Sequence, residues 1–328
     1  MERKNDFRQN AFALLTGMCQ TQVIFTLVTS NVFETIDDGE CSLEKIANKC
    51  HLNKKILLRT LRYTVMLGLL AMDDDKYLLT ETGRFFLKKQ EDGFFNLTNF
   101  LGSAPWRESW NNFDHCLTTG QPAFDDVFGM PFIEYLDLNP QYRNLHNYYL
   151  EQRSKEYAGK IAASYPFNSF KLIYELGQGD GILLNTIIKR SSDTNALLIQ
   201  TEPSEFSEEL SERIRVVNEA SLDHLPKTDC LILNGVLSEW EDTRCIQILT
   251  TARKLLKPGG KLLLIDRTIN EEPPFDPETV FLDLHMQVME GGLERTVLQY
   301  EKLVQKAGLR LNEIYSTPTP MKLLEIMQ

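Results

Sequence analysis

The stretch most informative about the fold is Glu175-Leu176-Gly177-Gln178-Gly179-Asp180-Gly181. It follows an apolar run at 171–174 and precedes a helix-like run at 182–189. Glycines let a backbone pass close to a ligand, and the N-terminus of a helix offers unpaired N–H groups. The order of strand, glycine-rich turn and helix is therefore typical of a nucleotide-cofactor cradle, although this glycine pattern is not specific by itself.

The rest of the C-terminal half alternates between strand and helix patterns. The turn Pro258-Gly259-Gly260 closes one helix and opens a strand. Alternating β and α elements predict an α/β fold with a doubly wound, mainly parallel sheet, whose ligands lie at the carboxyl ends of the strands. The predicted strands are 172–176, 196–200, 214–217, 230–234 and 261–266.

The N-terminal part predicts a small, mainly helical domain. Residues 8–36 have helical periodicity, a second helix is predicted at 54–67, and 72–80 resembles a hairpin. This succession is a winged-helix pattern, which often binds DNA. Here the wing carries the acidic run 73–75, where phosphate-contacting lysines are expected, and the net charge of the chain is −11. These charges argue against a nucleic-acid partner.

Composition excludes other classes of function. The sequence has no run of about 18 apolar residues, which argues against a membrane span, and its polar start does not resemble a signal peptide. The six cysteines are scattered without metal-ligand spacing. We therefore expect a cytoplasmic protein with reduced thiols and no metal site.

Several further motifs occur in a specific order and spacing. Together they resemble the small-molecule methyltransferases of the caffeic-acid type, which use S-adenosylmethionine, and most closely the bacterial phenazine N-methyltransferase group. The motifs are Trp240-Glu241-Asp242, Leu256-Lys257-Pro258-Gly259-Gly260, Asp266, Asp283-Leu284-His285-Met286 and Gly291-Gly292-Leu293-Glu294-Arg295-Thr296.

The resemblance implies a domain organisation and a partner. Residues 1–100 are expected to form a winged-helix dimerisation domain, 101–168 a helical connector that lines the substrate cleft, and 169–328 a class I, Rossmann-like methyltransferase domain. A homodimer through the N-terminal domain follows, since its apolar first helix needs a surface on which to be buried.

The resemblance also implies how S-adenosylmethionine is held, with two departures from the family pattern. Gln178 replaces the middle glycine of the loop, and Gln200 stands where an acid normally accepts hydrogen bonds from the ribose. A slip of one or two residues brings in Glu202 instead, and both alternatives remain open. The candidate cofactor-binding residues are Glu175, Gly177, Gly179, Gly181, Gln200, Glu202 and Glu219, the last resembling the acid near the adenine.

A third departure concerns catalysis. Ser238 stands where many O-methylating relatives have a base histidine, and an unassisted serine is a poor base near neutral pH. Asp266 and Glu294 correspond to the carboxylates that steer that histidine, and either could act as a base if burial raises its pKa. The candidate catalytic residues are therefore Glu294, Asp266 and Ser238, and the candidate substrate-binding residues are His115, Trp110, His285, Met286 and Met289.

Two functions are consistent with these departures. The first is methyl transfer to a small aromatic or heteroaromatic acceptor in natural-product biosynthesis. A neutral nitrogen or an already ionised oxygen needs no base, so the missing histidine favours such an acceptor. The alternative is a diverged enzyme that catalyses a non-methylating reaction, pericyclic or of hydroxylation type, with or without bound S-adenosylmethionine.

Overall fold

A computed structural model describes residues 2–39, 41–90, 93–176, 180–200, 209–218 and 224–328. The chain divides into two compact units. The first comprises Met1–Glu108 and Asn139–Tyr149, and the second comprises Ser109–Leu138 and Leu150–Gln328.

The first unit is mainly helical. Helix α4 begins at the cap Ser42, whose hydroxyl accepts a hydrogen bond from the N–H of Lys45, and Asn53 caps α5 in the same way. The predicted helix at 8–36 is divided into three, with a break at Asn31, which has a left-handed backbone conformation. The elements are α1 (Glu2–Leu15), α2 (Gly17–Thr29), α3 (Val32–Asp37), α4 (Leu43–Lys49), α5 (Lys54–Met66), β1 (Leu70–Asp73), β2 (Lys76–Leu79), α6 (Glu81–Arg84), α7 (Phe95–Leu101) and α8 (Ala104–Asn111), which ends in the second unit.

The hairpin β1–β2 is the predicted wing, and it packs with α2 to α5 around one apolar core. The Thr80 hydroxyl begins α6 by accepting a hydrogen bond from the N–H of Gly83. A methyl group at Gly83 would overlap the backbone carbonyl of Leu69. Only a residue without a side chain therefore allows α6 to pass this close to the start of β1.

The second unit contains one seven-stranded sheet of order β5-β4-β3-β6-β7-β9-β8. The first five strands in this order are parallel, and β9 pairs antiparallel with both β7 and β8. Residues on both faces of the sheet are buried, as expected of a doubly wound fold. The strands are β3 (Leu172–Leu176), β4 (Asn195–Gln200), β5 (Ile214–Asn218), β6 (Thr228–Asn234), β7 (Leu256–Arg267), β8 (Arg310–Ser316) and β9 (Met321–Met327).

Helices pack against both faces of the sheet through their apolar residues. Helix α12 starts in the first unit and continues into the second from Leu150 onward. The mixed α/β architecture agrees with the predicted fold class. The helices are α9 (Phe113–Thr119), α10 (Ala123–Phe128), α11 (Phe132–Leu138), α12 (Pro140–Ala163), α13 (Ile182–Lys189), α14 (Asp242–Leu255), α15 (Pro277–Met289) and α16 (Val297–Lys306).

Candidate active site

Glu175 is a buried carboxyl group near the carboxyl end of β3. Its Oε1 accepts a hydrogen bond from Asn234 at the end of β6, at 3.3 Å, whereas its Oε2 has no hydrogen-bond partner among the described residues. Burial, and to a smaller extent the charge of Asp180, raise the pKa of Glu175 to about 7. A buried acid with an unused oxygen is suited to a cationic ligand, because a cation would stabilise the ionised form.

The start of α13 follows the glycine loop. Gly181 has a left-handed φ of 74°, and Asp180 accepts a hydrogen bond from the N–H of Ile182 at 2.9 Å. Burial raises the pKa of Asp180, while Ser154 on α12 donates a hydrogen bond that lowers it. Gln200 ends β4 and is only 5% exposed. The predicted cofactor residues Gly177, Gly179, Glu202 and Glu219 lie outside the described residues.

Ser238 and Asp266 meet at the carboxyl ends of β6 and β7. Strand β6 is followed by Gly235 and then by a 3-10 turn at Leu237–Glu239. Within this turn the Ser238 hydroxyl donates to Oδ1 of Asp266 at 3.3 Å, and Oδ2 of Asp266 has no partner in hydrogen-bonding geometry among the described residues.

Asp266 is only 2% exposed, and this burial raises its pKa well above the ordinary value. The charge of Glu294 raises it further. The hydroxyls of Tyr300 and Ser238 act in the opposite direction, although Tyr300 lies near the carboxyl without a hydrogen bond of good geometry. A carboxyl group in this setting favours its neutral, proton-carrying form.

Glu294 lies next to this pair. Its backbone N–H donates to Oδ1 of Asp283 on α15 at 2.7 Å, which fixes the loop, and its Oε2 has no partner among the described residues. Burial raises the pKa of Glu294 to about 7, and the charges of Arg267 and Arg153 lower it. A pKa close to the working pH is what a general base requires.

The turn that carries Ser238 is held by Arg295. This buried guanidinium donates to the carbonyls of Leu237 and Trp240, at 2.6 Å and 2.7 Å, and pairs with Asp242 at 2.9 Å. Arg295 directly follows Glu294 in the chain. The loop after α15 therefore holds both the turn that carries Ser238 and the carboxyl group of Glu294 in place.

Gly292 lets the loop after α15 approach this turn closely. A Cβ at Gly292 would lie 2.7 Å from the carbonyl oxygen of Ser238 and 2.8 Å from the Met286 methyl group. The N–H of Leu293 donates to the same Ser238 carbonyl at 2.9 Å. The resulting contact brings together the segments that carry Glu239 and Glu290, two acids that are not among the predicted site residues.

Glu239 has a raised pKa of about 8. Burial is the largest cause, the charge of Glu290 adds to it, and the charge of Arg153 opposes it. Glu290 is exposed at the end of α15, and desolvation raises its pKa to about 7. Sequence reasoning missed both acids and also Arg153, which lies within a long helix and belongs to no recognisable motif.

Aromatic rings line one side of α15. Trp110 and Phe281 are parallel within 7° with centroids 6.0 Å apart, and Phe281 and His285 within 5° at 6.2 Å. The predicted residues Trp110 and His285 therefore lie in one stack of nearly parallel rings, with Phe281 between them. Such a stack offers a flat apolar surface to an aromatic ligand.

The remaining predicted pocket residues differ in environment. Met289 is fully buried in the protein interior, whereas Met286 is partly exposed, so the two do not present equivalent surfaces. The ring Nδ1 of His115 lies 3.7 Å from a carboxyl oxygen of Asp126. His115 therefore has a local acidic partner on α10.

The described residues contain neither a grouped set of metal ligands nor a single helix suited to crossing a membrane. Among the described residues, no three His, Cys, Asp or Glu side chains are grouped so that they could hold a metal ion. Within the same part of the chain, no single helix is long and apolar enough to cross a membrane. The bent pair Phe7–Leu15 and Gly17–Thr29, with 59° between its helices, meets that criterion jointly, by length and composition.

Comparison with known proteins identifies both parts of the chain. The O-methyltransferase domain model matches residues 110–310, and the O-methyltransferase dimerisation domain model matches residues 12–89. Similar curated proteins include the mitomycin biosynthesis 6-O-methyltransferase of Streptomyces lavendulae, 26% identical over 95% of this chain and 92% of that protein. The phenazine O-methyltransferase of Lysobacter antibioticus is 25% identical over 95% of this chain and 94% of its own length.

Solved structures agree with this fold. The mitomycin 7-O-methyltransferase has a TM-score of 0.89 at 24% identity, covering 100% of this chain and 99% of its own. An O-methyltransferase from neocarzinostatin biosynthesis, in complex with S-adenosylmethionine and 2-hydroxy-5-methyl naphthoic acid, has a TM-score of 0.80 at 24% identity, with 94% and 95% covered. The chain therefore belongs to the O-methyltransferase family that carries a dimerisation domain, and it is an S-adenosylmethionine-dependent methyltransferase.

Proposed function

We propose that this enzyme methylates a nitrogen, or an oxygen that ionises readily, on an aromatic acceptor of secondary metabolism, and that Glu294 orients the acceptor and takes its proton. The observation that carries the proposal is the buried group Ser238–Asp266–Glu294. It contains two carboxyl oxygens without a partner, Oδ2 of Asp266 and Oε2 of Glu294, and no histidine. Relatives that methylate phenazine, mitomycin or hydroxybenzoate compounds support an aromatic acceptor.

The chemistry requires little beyond positioning. When bound, S-adenosylmethionine supplies a methyl carbon on a sulfonium, whose leaving group is a neutral thioether. The residues of the chain hold the acceptor atom in line with that carbon, which can provide several kcal/mol, roughly 7–11 in favourable cases. An acceptor proton would pass to Oε2 of Glu294, whose pKa of about 7 leaves it partly ionised at neutral pH.

Asp266 and Ser238 have a different role in this proposal. Asp266 remains protonated because it is more deeply buried than Glu294 and is repelled by it. It can then donate a hydrogen bond through Oδ2 while Oδ1 accepts one from Ser238. Ser238 thereby orients Asp266 rather than removing a proton.

The proposal is tested by incubating the purified protein with S-adenosylmethionine and a panel of aromatic amines, N-heterocycles and phenols, and detecting products by mass spectrometry. We expect methylated products from acceptors with a neutral nitrogen or a phenol of low pKa. Methylation confined to phenols of ordinary pKa would contradict the proposed acceptor class, since these require a stronger base.

The residues at the end of β3 are suited to the cofactor. The unused Oε2 of Glu175 would accept a hydrogen bond from the ammonium group of the cofactor, and Gln200 would accept one from the ribose through its amide oxygen. Glu202 remains the alternative to Gln200, and Gly177, Gly179 and Glu219 remain predicted contacts.

Changing Glu175 to Gln should weaken binding of S-adenosylhomocysteine by about 10–100-fold, because a charge-assisted hydrogen bond contributes about 1.5–3 kcal/mol. Ionised Glu175 binds the ammonium, so the affinity of the wild-type protein should rise with pH through about 7 and then level off. Titration calorimetry between pH 6 and 8 measures both effects. An unchanged pH profile in Glu175→Gln would show that another group causes the dependence.

We also propose that the protein is a homodimer formed through the first unit, and that residues 101–168 form a connector along the substrate cleft. Leu14 and Leu15 on α1 are 84% and 85% exposed in the single chain, and the match to a dimerisation domain supports a partner surface there. A cytoplasmic location remains a prediction from the sequence.

Changing both Leu14 and Leu15 to Asp should convert the dimer into a monomer, because two charges would be buried without partners in the interface. Light scattering coupled to gel filtration at micromolar concentration measures the mass. The control is Leu117→Asp, which alters an exposed leucine of the second unit. A monomeric wild-type protein would refute the proposed assembly.

A further inference from the structure

The segment 293–295 carries the proposed base, and its three residues are joined to three different elements. The N–H of the first residue donates to the carbonyl of Ser238 at 2.9 Å, and the carbonyl of the last accepts from the N–H of Ile269 at 3.2 Å. Both of these hydrogen bonds join backbone to backbone. The N–H of Glu294, between them, donates instead to a side chain, Oδ1 of Asp283, at 2.7 Å. The middle anchor can therefore be removed by changing one side chain.

Asp283 lies within α15, between two of the stacked aromatic rings. Phe281 and His285 are four residues apart on this helix, and their rings are parallel within 5°. Residues four apart share one face of a helix, whereas a residue two positions from each of them points elsewhere. Asp283 accordingly reaches the loop after the helix, where it meets Glu294. One helix thus carries both the ring surface and the anchor of the base.

The hydrogen bond to Asp283 matters because Glu294 is buried. Glu294 is 8% exposed, and a buried backbone N–H requires a partner. Without the Asp283 carboxyl group, the loop would shift or admit a water molecule to satisfy this donor. A displacement of about 1 Å at a reacting group can lower a rate by about 10²-fold. The start of α15 is capped by Asp276, so Asp283 is not the residue that begins the helix.

We propose that Asp283 is a positioning residue for methyl transfer, which holds the Glu294 carboxyl group at a fixed place relative to the rings of Phe281 and His285. This inference rests on the proposed function, in which Glu294 takes the proton of the acceptor. Asp283 acts through Glu294 and exchanges no proton itself. Its loss should lower kcat and leave KM for the acceptor almost unchanged, because the ring surface that binds the acceptor remains.

The test measures kcat and KM of Asp283→Ala, using the compound of the acceptor panel that the wild-type protein methylates fastest. We expect kcat to fall by about 10–100-fold because the base is displaced. Asp283→Asn keeps an oxygen that can accept the same hydrogen bond, and it should recover most of the lost kcat. If Asp283→Ala does not fold, Asp283→Glu lengthens the side chain by one methylene and should also lower kcat. Wild-type kcat in a folded Asp283→Ala or Asp283→Glu would overturn the inference.

Asp276→Ala is the matched control on the same helix. Asp276 also accepts a backbone hydrogen bond through its carboxyl group, but the donor is Thr279 within α15, at 2.8 Å. Loss of this cap should lower the thermal stability and leave kcat unchanged. Equal losses of kcat in Asp276→Ala and Asp283→Ala would show that the effect comes from a weakened helix, and would overturn the inference.

Combining Asp283→Ala with Glu294→Gln tests whether Asp283 acts through Glu294. In the Glu294→Gln background, Asp283→Ala should cause little further loss of kcat, since no base is left to displace. Losses that multiply as if the two residues were independent would overturn the inference and leave the proposed role of Glu294 intact.

Hydrogen exchange separates this inference from the proposed function. The peptide that contains Glu294, followed by mass spectrometry, should exchange its amides faster in Asp283→Ala than in the wild type or in Asp276→Ala. If Glu294→Gln keeps the wild-type kcat, or if no acceptor is methylated, the proposed function fails, and the exchange rate still shows whether Asp283 holds the loop. Unchanged exchange in Asp283→Ala would overturn the inference in either case.

Discussion

Changing Glu294 to Gln is expected to lower kcat/KM for methyl transfer by about 10²–10⁴-fold, the usual contribution of a single general base. The amide keeps the shape of the side chain but cannot take a proton. The loss should be confined to kcat/KM, with binding of S-adenosylhomocysteine changed little, because the cofactor residues lie at the ends of other strands. The measurement is initial rate against acceptor concentration at pH 7.5.

Ser238→Ala is the matched variant in the same site. It removes the hydrogen bond to Oδ1 of Asp266 and should change turnover only modestly, since that serine orients another group. If Ser238→Ala instead causes the large loss and Glu294→Gln does not, the serine acts directly and the proposed roles are reversed. If neither variant matters and no acceptor is methylated, the non-methylating reaction becomes the better hypothesis.

Changing Gly83 to Ala should destabilise the first unit by about 1–3 kcal/mol or more, because the added methyl group would overlap the backbone carbonyl of Leu69, which has no freedom to rotate away. For a unit of this size such a change lowers Tm by at least about 5 °C. Thermal unfolding followed by circular dichroism measures the shift. We expect the dimer to weaken in parallel, since α6 and the hairpin β1–β2 belong to the dimerisation domain.

Gly17→Ala is the control for this substitution. The same methyl group at Gly17 meets nothing within 4 Å, and alanine is a better helix former than glycine. Its Tm should stay the same or rise slightly. Equal losses in Gly17→Ala and Gly83→Ala would mean that the effect comes from glycine content in general and not from the contact with Leu69.

The strands of the sheet were predictable because their signal is local. Each central strand is a short apolar run that must be buried on both faces, as in β3 and β6. The predicted turn at Gly259 lies within β7, and the pairing of β6 with β7 becomes continuous just after it, from Lys261. The two C-terminal strands were not predicted. Strand β8 is mostly exposed, with only Leu311 and Tyr315 partly buried, and so it lacks the apolar run of a central strand.

The site was only partly predictable. The motif order indicated Ser238, Asp266 and Glu294, and the structure places these residues together, while their catalytic roles remain predictions. Glu239 and Glu290 were missed because their segments, about 50 residues apart in the chain, are brought together by the contact at Gly292. Such coupling depends on tertiary packing, which no sequence motif records.

The position of β9 has a consequence for biosynthesis. It is made after every other described strand, and yet it lies between β7 and β8 rather than at an edge. While the ribosome is still adding these residues, β7 has an open side with unpaired backbone groups, which could pair with another nascent chain. The sheet can close only when Met321–Met327 has left the exit tunnel, so the second unit can be completed only after its last described strand has been made.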